Sequence, residues 1–201
     1  ASTQVTGNNP HVGTAQLGED PLPWLYEYPG ILPTTSTLEL KAKGLGLVTA
    51  TPEIDGVTRR VPLVVNVQSK LYPSFALELL RVAVQDPSYQ IKTEEQGLAW
   101  VRVPSYPLMN TDANGRIYLN WNTKFYKQTA STFIDDPIEA PFVIFGTTAE
   151  GITNPVPTPA GPKYPHEIQA NILHNLVTGT APSTPVWAQA VEIIGTLIIL
   201  V

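Results

Sequence analysis

Two adjacent arginines, Arg59 and Arg60, form the densest basic cluster of the chain and are well suited to bind an anionic group. A guanidinium offers a planar fork of N–H donors that matches a carboxylate. The pair follows Asp55-Gly56, a dipeptide typical of a tight turn between two strands. Strand alternation places the two side chains on opposite faces. We therefore expect one arginine to pair with Asp55, and two roles stay open for the cluster: support of a hairpin or binding of a ligand.

The other polar clusters do not have the arrangement that catalysis needs. Glu94-Glu95 and Asp135-Asp136 are adjacent residues, whereas general acid–base catalysis needs two carboxyls in different environments. The histidines are His11, His166 and His174. The last two are too far apart for one helix to bring both to one metal ion. No nucleophile motif, phosphate-binding loop or dinucleotide fingerprint occurs, so we expect no catalytic residue, no metal site and no cofactor.

A loop containing glycine and threonine follows the apolar run 141–146, which predicts a buried strand. Ligands of α/β sheets favour the carboxyl ends of strands. Glycine lets the backbone approach a ligand, and a threonine hydroxyl can donate to an anion. Thr147 and Thr148 are therefore candidate ligand-binding residues, and an ordinary turn is the alternative.

The composition indicates a globular chain without a basic surface. The chain has 201 residues, of which 43% are hydrophobic, a mean hydropathy of +0.00 and a net charge of −5. Such a chain can bury its own core, and it lacks the basic patch typical of nucleic-acid binding. It contains no cysteine, which excludes disulfides and cysteine metal sites. The 20 prolines predict a loop-rich domain.

Hydrophobic periodicity predicts both strands and helices. The predicted strands are 45–51, 60–67, 100–104, 116–121 and 141–146. The predicted helices are 37–43, 74–85 and 165–178, the second with Ser74 as its N-cap and the third ended by Gly179. Residues 86–97 are polar, and we expect them to form an excursion at a sheet edge. The order of these elements predicts an α/β fold, with α+β as the alternative, in which helices flank a mixed sheet.

The two ends of the chain differ in composition. Residues 1–16 are polar, and we expect them to form a mobile tail. Residues 186–201 are apolar except at three positions, and Trp187 stands where an interfacial aromatic anchor would lie. Two interpretations stay open: this run is a core helix, or it begins a membrane-spanning helix, which needs about 20 apolar residues. Glu192 counts against the second, because a carboxylate inside a membrane is costly.

Several sequence motifs, taken in order, are similar to those of a known family. They are DGVTRRVPLVV, LYPSFALELL, GRIYLNW, VIFGTTAEGITNPVPTP and PHEIQANILHNLVTG, followed by an apolar run that contains tryptophan. Over about residues 45–185 the chain resembles the CHASE2 domain, an extracytoplasmic sensory module of bacterial transmembrane receptors. Each motif is loose, but their common order is hard to obtain by chance.

The resemblance assigns roles to individual residues. It implies a structural motif formed by Asp55, Gly56, Pro73, Gly146 and Gly151. Together with the clusters above, it implies these candidate ligand-binding residues: Arg59, Arg60, Tyr72, Ser74, Thr147, Thr148 and Asn171. Further positions that match the family are Ala149, Thr158-Pro159, Glu167 and Ala170. Asn154 and Pro165 depart from it, since an acidic residue and a glycine are common there, and the first departure argues against a cation- or amine-binding loop.

The resemblance also implies an organisation and a role. Residues 1–16 would be the tail, 17–184 a partial sensor domain that corresponds to the carboxyl-terminal portion of the family domain, and 185–201 the start of a transmembrane or juxtamembrane helix. The usual opening strand is not seen, so we expect a homodimer or a partner chain that supplies the missing amino-terminal part.

The sensor would lie on the periplasmic side of the inner membrane, would not be an enzyme itself, and would bind an unknown small-molecule ligand. Its parent receptor would signal through an adenylate or guanylate cyclase, a histidine kinase or a serine/threonine kinase. The alternative is a structural or dimerising ectodomain that senses a protein partner or the state of the envelope.

Overall fold

Strands and helices are interspersed along the chain. A computed structural model describes residues 13–183 and 188–199, and the following elements lie within them. The strands are β1 (Gly13–Gly18), β2 (Glu27–Tyr28), β3 (Arg60–Pro62), β4 (Val64–Val67), β5 (Lys70–Pro73), β6 (Ser88–Glu94), β7 (Gly97–Arg102), β8 (Met109–Asn110) and β9 (Arg116–Tyr118). The helices are α1 (Ser36–Glu39), α2 (Phe75–Ala83), α3 (Ala130–Asp135), α4 (Pro165–Thr178) and α5 (Ala188–Ile199). Mixed sheets together with these helices confirm the predicted α/β class.

The largest sheet has the strand order β1-β6-β7-β8. β1 runs parallel to β6, and the other pairs are antiparallel. Along β6, Tyr89, Ile91 and Thr93 are buried, and the residues between them are half-buried, which is the alternation of a strand packed on one face. The prediction that 86–97 form an edge excursion is therefore wrong. The expected mobile tail is wrong for residues 13–16, which belong to β1, and residues 1–12 lie outside the described residues.

Two smaller sheets share the predicted strand 60–67. β3 pairs antiparallel with β9, whereas β4 pairs with β5 and, in parallel, with β2. Leu63, between β3 and β4, donates to the Gly115 carbonyl at 2.9 Å and accepts from the Ser74 N–H at 2.8 Å. The chain therefore passes from one sheet to the other at Leu63, and the single predicted strand is two short ones.

Two other predicted strands are absent from the described part of the chain. Residues 45–51, all described, contain an isolated bridge between Leu47 and Ser74 and no strand. Residues 141–146, likewise described, belong to no strand. Apolar composition is typical of strands in both places, but a strand also needs a neighbour that offers free backbone groups.

Helices α2 and α4 pack against each other on the core, and both were predicted at these positions. Ser74 is the N-cap of α2 and accepts from the Leu77 N–H at 3.3 Å. Gly179 ends α4 with φ +68°. The apolar side chains that the two helices bury are Ala76, Leu77, Leu80, Ile168, Ile172, Leu173 and Leu176. Burial of these faces drives the two helices together. The third predicted helix, 37–43, is present only as the shorter α1.

The apolar run at the carboxyl end contains α5, a helix of 12 residues. Val191, Ile193, Ile194, Ile198 and Ile199 are exposed, so the core-helix interpretation does not hold for these residues. Among the helices that the structure describes, none combines the length and the apolar character that crossing a bilayer requires. Trp187, the expected interfacial anchor, lies outside the described residues.

Candidate functional site

Arg59 and Arg60 both pair with carboxylates of this chain. The guanidinium of Arg59 donates to the two carboxylate oxygens of Asp55 at 3.0 and 2.7 Å. These bonds from Arg59 lower the pKa of Asp55 from 3.8 to about 2. Arg60 donates from Nε to Glu53 at 2.8 Å and from Nη1 to Asp112 at 3.2 Å. The predicted pair of an arginine with Asp55 is present, and an anionic ligand would have to displace an internal carboxylate from either guanidinium.

The arginines hold turns together rather than a hairpin. Asp55-Gly56 forms the expected tight turn, in which Gly56 adopts φ +80°, a conformation that residues with a side chain rarely adopt. This turn does not join two paired strands, because the partner of β3 within the described residues is β9. Arg60 links the turn, through Glu53, to the turn at 112–115, through Asp112. The hairpin prediction is therefore wrong, although the turn itself is present.

Ser74 and Asn171 lie at the junction of α2 and α4, where their exposed fractions are 4% and 2%. Gln169 of α4 accepts from the Ala76 N–H at 3.1 Å and so satisfies another free N–H in the first turn of α2. Asn171 donates from Nδ2 to the Glu167 carbonyl at 2.9 Å. Ser74 therefore caps α2, the Asn171 amide bonds within α4, and burial closes both residues to a ligand. Pro73, a predicted structural residue, ends β5 directly before this junction.

Glu167 determines how α4 begins. Its carboxylate accepts from the Tyr164 N–H at 2.7 Å and pairs with Lys127. Burial raises the pKa of Glu167, the hydrogen bonds from Lys127 and the Tyr164 N–H lower it, and the net shift is downward. One further polar side chain of α4, Asn175, accepts from the Asn120 N–H at 3.1 Å. Gln169 and Asn175 thus satisfy backbone groups of neighbouring segments, a role that helical periodicity alone does not reveal.

The loop at 146–151 lies on the surface. Thr147 and Thr148 are exposed, and the Thr147 hydroxyl accepts from the Ala149 N–H at 3.2 Å. Gly146 lies so close to the ring of His166 that a Cβ at this position would overlap it. Gly151 adopts φ +79°. A side chain at either glycine would therefore disturb the loop, and the two threonines lie in an exposed turn.

A largely apolar pocket of 430 Å³ lies between residues 28–34 and residues 45–49. Its apolar walls include Ile31, Leu32, Leu47 and Val48. Tyr72 of β5 also lines this space, and we call it the Tyr72 pocket. The volume falls within the range of small-molecule sites, about 300–1,000 Å³.

The polar groups of the Tyr72 pocket are few. The Tyr28 hydroxyl lies 3.3 Å from the Thr49 hydroxyl at the pocket wall. Burial raises the pKa of the Tyr72 phenol. Among the described lining residues, Glu39 carries the only charge. The pocket therefore suits an apolar molecule that is neutral or carries one positive charge, and it disfavours an anion.

The predicted ligand-binding residues do not assemble into one cavity. Tyr72 is the only one of them among the described residues that line the pocket. The arginines lie at two turns, Ser74 and Asn171 at the helix junction, and the threonines on a surface loop. The pocket itself was missed, because its two walls come from segments that no periodicity brings together. The available signal is the aromatic, proline-punctuated stretch LPWLYEYPGILP at 22–33, whose second half lines the pocket.

Comparison with known proteins reveals a similarity over nearly the whole chain. The family model described as the CHASE2 domain matches residues 3–201. The match extends on both sides beyond residues 45–185, where the motifs lie. No curated protein matches the chain, and no solved structure matches it.

Proposed function

The chain belongs to the CHASE2 domain family of extracytoplasmic sensory domains, and we propose that it senses an apolar small molecule that binds in the Tyr72 pocket. Family membership supports a sensory rather than a catalytic role for this chain. The ligand is neutral or carries a single positive charge. The observation that carries this proposal is the pocket itself. Its lining combines apolar side chains with the phenols of Tyr28 and Tyr72 and the carboxylate of Glu39.

The position of the pocket supports a role in signalling. Leu47 of its wall donates to the Pro73 carbonyl and accepts from the Phe75 N–H, both at 2.9 Å. The wall is thereby bonded directly to the start of α2. Since α2 packs on α4, a change at the wall has a continuous route to the carboxyl-terminal part of the domain.

The remainder of the proposed receptor follows from the family and from α5. The exposed apolar side chains of α5 favour a helix that begins or adjoins a membrane span over residues 185–201. The domain would then lie on the periplasmic side of the inner membrane. The output would be a cytoplasmic adenylate or guanylate cyclase, histidine kinase or serine/threonine kinase, the effectors implied by the family.

Thermal unfolding with three molecules of the same apolar body tests the ligand class. The probes are 3-phenylpropanol, 3-phenylpropylamine and 3-phenylpropanoate, which are neutral, cationic and anionic. We expect the alcohol or the amine to raise the melting temperature saturably, and the carboxylate to have less effect. A ligand at a hundred times its dissociation constant adds about 2.7 kcal/mol to the free energy of unfolding. An equal response to all three probes, or no response to any, would contradict the proposal.

Two tryptophan substitutions locate the binding site. Val48 lines the pocket with its side chain 56% exposed, so Val48→Trp fills the space without disturbing the core. Ile54 is fully exposed outside the pocket, and Ile54→Trp is the matched control. The ligand-induced shift should disappear in Val48→Trp and persist in Ile54→Trp. A shift that survives in Val48→Trp would place the binding site elsewhere.

A further inference from the structure

The segment 142–146 has the burial pattern of a strand but pairs with no other strand of the described residues. Its side chains alternate, since Phe142 and Ile144 are half-buried against the core whereas Val143 and Phe145 are exposed. The exposed fractions of Val143 and Phe145 are 40% and 67%. The Phe145 ring makes an edge-to-face contact with Phe133, at 5.3 Å between ring centres, but Val143 and Phe145 still present a β-branched and an aromatic side chain to water.

The backbone of the segment is also unpaired. Within the described residues, no backbone hydrogen bond joins 142–146 to another segment. Backbone groups that are left free beside apolar side chains are a template for another extended chain. The segment therefore offers both parts of a strand-pairing surface, namely free N–H and C=O groups and side chains that alternate between two faces.

We propose that 142–146 pairs with the same segment of a second copy of this chain, antiparallel and centred on Ile144. Two-fold symmetry allows one segment to provide both halves of the interface. In this register Val143 of one copy lies opposite Phe145 of the other, which is a favourable cross-strand pair. Phe142 lies opposite Gly146, and Ile144 lies opposite itself. This interface is independent of the Tyr72 pocket and of the ligand proposed above.

Charge favours a second copy as the occupant. Residues 140–149 carry no ionisable side chain, so self-pairing of 142–146 brings no like charges together. The flanking carboxylates are Glu139 and Glu150. In the register centred on Ile144, Glu139 lies opposite Ala149 and Glu150 lies opposite Ile138. Neither carboxylate therefore lies opposite a carboxylate of the second copy, although the chain has a net charge of −5.

Cysteine cross-linking tests the register, because the chain has no cysteine of its own. Chains with Val143→Cys are mixed with chains with Phe145→Cys and oxidised. Directly opposite residues have Cα atoms about 4.5–5.5 Å apart, within disulfide range. In a sample of one variant alone, the two cysteines lie diagonally, about 7–8 Å apart. We expect the mixture to form covalent dimers several-fold faster than either variant alone. Equal rates in all three samples, or no cross-link in the mixture, would overturn the register.

Sedimentation equilibrium of the full chain tests the interface itself. The wild-type chain should dimerise with increasing concentration. The double variant Val143→Asp/Phe145→Asp sets carboxylates opposite each other and should weaken the dimer by on the order of tenfold or more. The matched control Ile134→Asp/Ile152→Asp changes two other exposed apolar residues and should dimerise like the wild type.

Two results would overturn the proposed interface. One is a wild-type chain that stays monomeric at all concentrations. The other is a dimer that survives Val143→Asp/Phe145→Asp but is lost in Ile193→Glu/Ile194→Glu, because that result would assign the contact to α5. Circular dichroism of each variant shows that a lost dimer does not reflect a lost fold.

Discussion

Arg59 and Arg60 are neighbours in the chain but differ in exposure and in what they connect. Their side chains are 39% and 24% exposed. Arg59 forms its short contacts with Asp55, within one turn. Arg60 connects two turns that are distant in sequence, and its guanidinium also lies 5.4 Å from the centre of the Tyr118 ring. Adjacent residues of one type thus make different contributions, because one is local and solvated and the other ties tertiary structure together.

Replacing each arginine should reveal this difference. Arg60→Ala breaks the link between Glu53 and Asp112, although Asp112 keeps Arg116 at 2.7 Å, so we expect the free energy of unfolding to fall by about 1 kcal/mol. Arg59→Ala removes an exposed pair that solvent screens, so the free energy of unfolding should fall less than in Arg60→Ala. Urea unfolding of the two variants gives both values. Equal losses would show that Arg60 contributes no more than a surface ion pair.

The Arg59–Asp55 pair also predicts a pH dependence. The pKa of Asp55 is about 2 in the folded chain, below its ordinary value of 3.8. A carboxyl whose pKa is lowered by folding stabilises the folded state when the pH is above the pKa that the group has in the unfolded chain. This stabilisation is lost as the pH falls from about 4 towards 2. The stability difference between the wild type and Asp55→Asn should therefore be constant near neutral pH and shrink over that acidic range. A difference that does not change between these limits would argue against the depressed pKa.

At the scale of elements, the junction of α2 and α4 depends on a buried amide. Gln169 accepts from the Ala76 N–H, and this contact is the polar link between the two helices. Gln169→Leu keeps the bulk of the side chain but leaves that N–H buried without an acceptor. We expect a loss of about 1–3 kcal/mol in urea unfolding.

The exposed residue Thr178, on the same helix, provides the control for Gln169→Leu. Thr178→Leu should change the free energy of unfolding by less than about 0.5 kcal/mol. If the two variants unfold alike, the Gln169 amide does not support the junction. Ser74→Ala, which removes the N-cap of α2, is expected to cost about 1 kcal/mol.

Elements with strong local signals were predicted well. The N-cap at Ser74, the helical spacing in 165–178 and the stop at Gly179 depend on residues a few positions apart, and the corresponding helices are present. Which segments form strands, and which strands pair, depended on tertiary contacts instead. β6 is polar on one face, which predicted an excursion at a sheet edge, and 141–146 is apolar but pairs with no strand of the described residues. Similarly, the Asp55-Gly56 turn was predictable, but the pairing of β3 with β9 was not, because nothing local indicates which strand lies beside β3.

At the scale of the whole molecule, two links in sequence connect the Tyr72 pocket to α4. Leu47 is bonded to the start of α2, Gln169 joins α2 to α4, and α4 continues to Gly179. This continuity makes α4 the route by which an occupied pocket could affect the end of the domain. A contiguous set of contacts becomes a coupling only if ligand binding changes the stability of each element along it.

Hydrogen exchange with and without 3-phenylpropanol measures that coupling. Binding at a hundred times the dissociation constant should slow exchange through openings that destroy the pocket by roughly a hundredfold. In the wild-type chain, we expect slowing at 45–49, at the first turn of α2 and in α4. In Gln169→Leu, slowing should persist at 45–49 and the start of α2 but be much smaller in α4, because the polar link is gone. Slowing confined to 45–49 in the wild type would mean that the pocket binds its ligand without influencing α4, and signal transmission would then have to leave the domain by another route.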